Sequence, residues 1–257
     1  MKKAFISGIS SGLGLGLGET LTDAGWDVYG ISRRNCPRAD ITHATCDIRK
    51  RETIHPTLTT LMKDLKHVDL VILNAGVLGR IADLSETAVS ELQDIFNVNV
   101  WAQKSILDWF LHHIHSVGHI ILISSGAAVV GNRGWGGYAL SKAAGNMLIK
   151  LYAHEFPQET GLTALAPGLI DTQMTHYLRT DVDRNKYHAV ERIAEAHATG
   201  VMLSPRKAAE RILTQLTALR ECPRGEFVDI RSLDAPHEYA KLMGAQGTTT
   251  HRDSPAR

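Results

Sequence analysis

Short apolar runs alternate with longer amphipathic stretches along this chain, and the alternation predicts a repeating β/α architecture. Lys3–Ser7 (KAFIS) is apolar and ends in a glycine cluster, which reads as a buried strand entering a turn. Leu13–Ala24 reads as a helix stopped by Gly25, the residue type favoured just past a helix end. Asp27–Ser32 (DVYGIS) is a second strand and Thr42–Cys46 a short third. A helix over Thr53–Lys66 leads into a fourth strand, Asp69–Leu73 (DLVIL). One long helical region covers Ser85–His115, and His119–Ser124 (HIILIS) is a fifth strand. A helix over Tyr138–Glu155, a strand over Leu162–Ala166, a helix over Pro205–Leu219 and a short strand over Glu226–Ile230 complete the series. Apolar strands separated by helices predict a doubly wound, Rossmann-type α/β fold, its parallel sheet covered on both faces. No linker or repeat interrupts the pattern, so residues 1–245 read as one domain. The polar tail over 246–257 is expected to be disordered.

Composition narrows the function classes. With 28 Lys plus Arg against 27 Asp plus Glu, the net charge is +1, which gives no electrostatic reason to expect nucleic acid or an acidic membrane as partner. Cys36, Cys46 and Cys222 share no CxxC spacing and form an odd set, so neither a disulfide framework nor a zinc cluster is expected. No uncharged apolar segment reaches membrane-spanning length, and no signal-peptide pattern opens the chain, so the expected location is cytoplasmic. Of the 13 histidines, His112, His113 and His115 cluster, but neighbours on a helix point apart and no metal site is expected.

Gly8, Gly12 and Gly14 follow the first strand as Gly-xxx-Gly-x-Gly. Such a loop lets the backbone approach a pyrophosphate, whose charge then rests on helix N-terminal amides. Gly16 and Gly18 continue into the helix at about 1 kcal/mol each relative to alanine, which predicts close packing of that helix. At the end of the second strand a carboxylate would hold an adenosine ribose and repel a 2′-phosphate. Here Ser32-Arg33-Arg34 stands instead, where Ser32 can offer a hydroxyl and Arg33 a bidentate guanidinium.

Tyr138 and Lys142, four residues apart, share one helix face, and Ser125 follows the fifth strand where α/β sheets place ligands. A phenol with an ordinary pKa of about 10 is a poor base at neutral pH, and a nearby ammonium favours its ionised form. Together the three suit acid–base work on a carbonyl or hydroxyl group.

This constellation resembles the short-chain dehydrogenase/reductase family. The glycine loop is similar to the family's TGxxxGxG with Ser7 for the threonine, Asn74-Ala75-Gly76 to its NAG motif, and Pro167-Gly168 to its PG turn. The resemblance implies a catalytic set of Asn99, Ser125, Tyr138 and Lys142, with Asn99 holding a proton-relay water and Lys142 gripping the nicotinamide ribose. It implies cofactor contacts from Gly8, Ser10, Ser11, Gly12, Leu13 and Gly14 in the loop, and from Ser32 and Arg33 at the 2′-phosphate. Asp47 and Ile48 fall beside the adenine, Asn74, Ala75 and Gly76 beside the adenosine, and Pro167, Gly168, Ile170 and Thr172 near the nicotinamide. Ser11 occupies the place of a second basic determinant, so the implied preference for NADP(H) over NAD(H) rests largely on Arg33.

The resemblance further implies a substrate lid over about 172–200, with Met174, His176 and Tyr177 near its start, and a homodimer or homotetramer. Gly134-Trp135-Gly136-Gly137-Tyr138 and the later APGLIDTQM are similar to the sepiapterin-reductase and benzil-reductase branch, which implies a compact ketone or vicinal dicarbonyl as substrate. Two other readings use the same residues: an alcohol, sugar or steroid dehydrogenase, and a non-catalytic NADP-binding sensor or scaffold.

Overall fold

The computed structural model describes residues 1–240, and the disorder expected over 246–257 lies outside the described residues. Seven strands form one sheet: β1 (Lys3–Ser7), β2 (Asp27–Ser32), β3 (Thr42–Thr45), β4 (His67–Leu73), β5 (Ser116–Ile123), β6 (Gly161–Ala166) and β7 (Phe227–Asp229). All pair in parallel, in the order β3-β2-β1-β4-β5-β6-β7. The order reverses between β1 and β4, and a crevice opens at such a switch point beyond the carboxyl ends of the strands.

The helices are α1 (Gly12–Asp23), α2 (Ile54–Leu61), α3 (Val89–Phe96), α4 (Ala102–His113), α5 (Gly136–Tyr152), α6 (Gln173–Thr180), α7 (Ala189–Ala198), α8 (Pro205–Thr214), α9 (Leu216–Glu221) and α10 (Ile230–Asp234). Period-two alternation in the strands feeds two cores. Ala4, Ile6, Ile72 and Ile121 pack with Leu17 and Leu21 of α1 and Ile212 of α8. Phe5, Leu73 and Leu122 pack on the opposite face with Leu58 of α2, Phe110 of α4 and Ile149 of α5. Phe5 and Phe110 meet edge-on with ring centres 5.1 Å apart. The helical Gly16 has its packing reason here: a Cβ would lie 2.6 Å from the Pro205 carbonyl oxygen, so α1 and α8 touch backbone to backbone.

Three predicted helices differ from the observed ones, and one of them, Pro205–Leu219, is broken at Gln215 into α8 and α9. The Thr53–Lys66 helix is confined to Ile54–Leu61, and β4 starts earlier than expected because His67 takes a place in the register opposite Ser116. The Ser85–His115 region is not one helix. A 3₁₀ turn over Leu84–Glu86 precedes α3, and a π-helical turn over Asn97–Trp101 separates α3 from α4. Among the described residues no helix is long and apolar enough to cross a membrane.

Candidate active site

A cleft of about 870 Å³ opens beyond the carboxyl ends of the strands. Its floor is the loop between β1 and α1. Gly8 (φ +77°) and Gly12 (φ +57°) take left-handed conformations that favour glycine. A Cβ on Gly14 would collide with the Gly8 carbonyl oxygen, so the loop can close only around a residue with no side chain. Ser7, standing where the family motif has threonine, accepts hydrogen bonds from the Asn74 and Ala75 amides, each at 3.1 Å. Asn74 Nδ2 returns a bond to the Ser7 carbonyl at 3.1 Å, tying β4 to the glycine loop. A loop of exposed amides opening a helix, with no side chain filling it, has the donor chemistry that a dinucleotide pyrophosphate requires.

The adenosine end is basic. Arg33 lines the cleft, and Arg34 reaches back across the loop to donate from Nη2 to Ser11 Oγ at 2.9 Å. Ser11 therefore does not leave the glycine loop without a cation, because Arg34 brings one to it. Ser32 is buried and its hydroxyl is already engaged, bonding the Arg34 carbonyl at 2.7 Å and His43 Nε2 at 2.8 Å. It shapes the strand end, in contrast to the free hydroxyl expected from sequence. Asp47 is held by Arg49, with Nε 3.0 Å from both carboxylate oxygens, and this pairing keeps its carboxyl below the usual range.

Tyr138 and Lys142 sit in the first turns of α5, and Ser125 lies just past β5 at the cap of a 3₁₀ turn, accepting from the Ala127 amide at 3.2 Å. Lys142 Nζ donates to the Ile123 carbonyl at 2.7 Å and stands 5.6 Å from the centre of the Tyr138 ring. Both residues are buried. Burial pushes the Tyr138 phenol up to about 12, against an opposing pull from the Ser125 hydroxyl. Burial also pushes the Lys142 ammonium down to about 8. The sequence-based expectation of a phenol made more acidic by its lysine is reversed in this geometry, because desolvation disfavours the charged form of each group.

Asn99 lies in the π-helical turn, a feature that recurs at functional sites. Its Oδ1 accepts from the Val77 amide at 2.8 Å, while Nδ2 donates to the Val77 carbonyl at 2.8 Å and to Ser141 Oγ at 2.9 Å. The side chain is thus a clamp joining the turn, the segment after Gly76 and α5.

Beyond the Pro167–Gly168 turn the chain leaves the sheet at Ile170 and returns at Leu203, where the two residues pair. Thr172 starts α6 as its cap, its N–H donating to Thr175 Oγ1 at 2.9 Å. Leu178, Val190 and Ile193 of this excursion pack with Ile81, Trp135 and Tyr138 over one end of the cleft. Met174 stands on the cleft wall, Tyr177 packs partly buried against the same cluster, and His176 is exposed.

The structure brings all but two of the sequence-predicted site residues onto the cleft wall. Gly14 and Asn99 stand behind it and support it. Sequence reasoning missed Arg34, Arg49 and Trp135 as wall residues. Adjacency to Arg33 and Asp47 was the only available signal for the two arginines, and Trp135 had one in its place three residues before Tyr138.

The family model described as short chain dehydrogenase matches residues 2–183. A protein named benzil reductase ((S)-benzoin forming) from Saccharomyces cerevisiae is 28% identical over 236 residues, covering 84% of this chain and 89% of its own. Its namesake from Bacillus subtilis is 26% identical over 246 residues, covering 90% and 99%. The crystal structure of a short chain dehydrogenase/reductase from Saccharomyces cerevisiae superposes with a TM-score of 0.79 at 21% identity, covering 90% of this chain and 96% of that one, a likeness of fold.

Proposed function

The chain belongs to the short-chain dehydrogenase/reductase family, NAD(P)-dependent oxidoreductases acting on CH–OH and carbonyl groups, and from that premise we propose that it reduces a small ketone or vicinal dicarbonyl with NADPH. The observation that carries this reading is the Tyr138 phenol, buried beside Ser125 with the Lys142 ammonium 5.6 Å from its ring centre and its pKa pushed up to about 12 by burial. At neutral pH such a phenol is protonated, the form a reductase needs and the form an alcohol oxidation would first have to discharge. The benzil reductases among its relatives favour a reductase over an alcohol, sugar or steroid dehydrogenase, and a non-catalytic sensor would have no use for a hydroxyl, phenol and ammonium gathered at one end of the cleft.

When bound, the reduced nicotinamide supplies a hydride to the carbonyl carbon. Ser125 donates a hydrogen bond to the carbonyl oxygen and orients it, and Tyr138 gives that oxygen its proton. Lys142, charged below about pH 8, stabilises the phenolate that Tyr138 leaves behind and holds the ribose. Asn99 positions Ser141 and the segment around Val77 so that Tyr138 and Lys142 keep their places. Arg33 and Arg34 hold the 2′-phosphate, and no carboxylate at the end of β2 opposes it. The exposed apolar side chains Trp101, Leu140, Met147 and Leu151 on and beside α4 and α5 support assembly as a homodimer or homotetramer. The benzil reductases among its relatives support the vicinal dicarbonyl.

A panel of monoketones, vicinal diketones and secondary alcohols, each with both nucleotides and followed by nucleotide absorbance, tests the proposal. Reduction of a diketone with kcat/KM at least about tenfold higher for NADPH than for NADH is the expected result. Equal rates with NADH, or turnover of alcohols alone, would contradict it.

A further inference from the structure

The substrate end of the cleft offers donors for which the reacting carbonyl has no use. Its wall is apolar where Val129, Val130, Met174 and Ile193 stand. Into that setting α7 brings Arg192, oriented by a bond from Nη2 to Asn132 Oδ1 at 3.3 Å. Four other cations around the lid have carboxylate partners: Arg80 with Glu91, Arg133 with Asp83, Arg179 with Asp171, and Lys186 with Asp83 and Glu86. Arg192 has none within 4.0 Å among the described residues. Three acidic residues that share the cleft wall are occupied elsewhere, Asp47 with Arg49, Glu91 with Arg80 and Asp229 with Arg231.

A second observation points the same way. Trp135, whose ring centre is 6.1 Å from that of Tyr138, buries its indole N–H with no partner. A buried donor left unmet is unfavourable and calls for an acceptor. Arg192 is exposed where it lines the cleft, open to an incoming group, and a guanidinium fork binds a carboxylate in preference to a neutral group, because only the ionised acceptor gives two charge-assisted bonds.

The geometry points to a carbonyl substrate that also carries a carboxylate, with Arg192 as the specificity-determining residue that receives it. This inference rests on the reading of the cleft as a carbonyl-reducing site. In its simplest form the carboxylate is the second carbonyl group of the vicinal pair, as in a 2-oxo acid.

Benzoylformate and methyl benzoylformate present the same vicinal dicarbonyl with and without the charge. The expected kcat/KM is at least about tenfold higher for the acid, and Arg192→Gln removes that advantage while changing the ester by less than about twofold. In parallel, the affinities of mandelate and methyl mandelate for the NADP-loaded protein are measured by calorimetry, which needs no turnover. Mandelate binds about tenfold tighter than its ester, and the difference vanishes in the variant. Equal handling of acid and ester by the parent protein, absent mandelate binding, or a preference that survives Arg192→Gln overturns the inference. If mandelate shows the Arg192-dependent preference while neither dicarbonyl is reduced, the anion site stands and the reductase reading falls.

Discussion

Two opposing effects meet at Tyr138. Burial holds the phenol neutral, and burial also weakens the nearby ammonium that would stabilise its anion. Lys142 thereby becomes the group whose titration falls within the working range. Its charged form persists below about pH 8, so kcat/KM for carbonyl reduction is expected to be level up to that pH and to fall as Lys142 discharges above it. A pH–rate profile checks this, and a profile still rising through pH 9 would go against it. At the adenosine end, Arg34→Ala should raise KM for NADPH about tenfold and leave KM for NADH nearly unchanged, since only the former presents a phosphate. Arg33 was legible in the sequence as a phosphate ligand, but the reach of its neighbour Arg34 was not. Arg34 bonds Ser11, 23 residues away, and no local pattern carries a contact across that separation.

The segment beyond the Pro167–Gly168 turn shows the same limit among the elements. A polar, charged stretch after the PG turn was readable as a distinct segment, yet nothing in it told which residues fasten it. Gly134 adopts φ +87°, and a Cβ there would lie 2.5 Å from the Tyr187 ring, so the stretch between α6 and α7 rests directly on the backbone that leads into α5. Arg133 grips Asp83 at 2.7 Å, Lys186 joins it from the stretch between α6 and α7 at 3.3 Å, and these cations hold the Asp83 carboxyl down to about 2. Gly134→Ala is expected to destabilise the protein by about 1–3 kcal/mol through strain. It should also raise substrate KM more than nucleotide KM and speed proteolytic cleavage between α6 and α7. A variant with unchanged KM and proteolysis would show that the contact is incidental to substrate binding. The interrupted helix over 85–115 escaped the sequence for a related reason. Apolar spacing runs on through Asn97–Trp101, while the turn is widened where Asn99 bonds Val77 and Ser141.

Across the whole molecule the strands were legible because buried parallel strands are written as apolar runs. Their order depends on crossovers between distant segments and becomes visible only in the fold. One buried titratable group links the sheet to acid stability. His119 in β5 is 2% exposed, bonds Thr163 Oγ1 of β6 at 3.0 Å, and is pushed by burial down to about 4. The unfolded chain binds a proton near pH 6.5 that the folded sheet refuses until about pH 4. Its contribution is therefore complete above pH 6.5 and is lost as pH falls towards 4, by about 3 kcal/mol at most. His119→Gln should flatten the fall of Tm across that interval, and an unchanged slope would assign acid sensitivity to other groups. Whether carbonyl reduction draws its proton from Tyr138 is decided by one comparison. The initial rate of NADPH oxidation with benzil is measured for the parent protein and for Tyr138→Phe, alongside the NADPH affinity of each. The variant is expected to bind NADPH as before and to lose turnover by at least about a hundredfold; a variant that keeps its rate would remove Tyr138 from the proton-donor role.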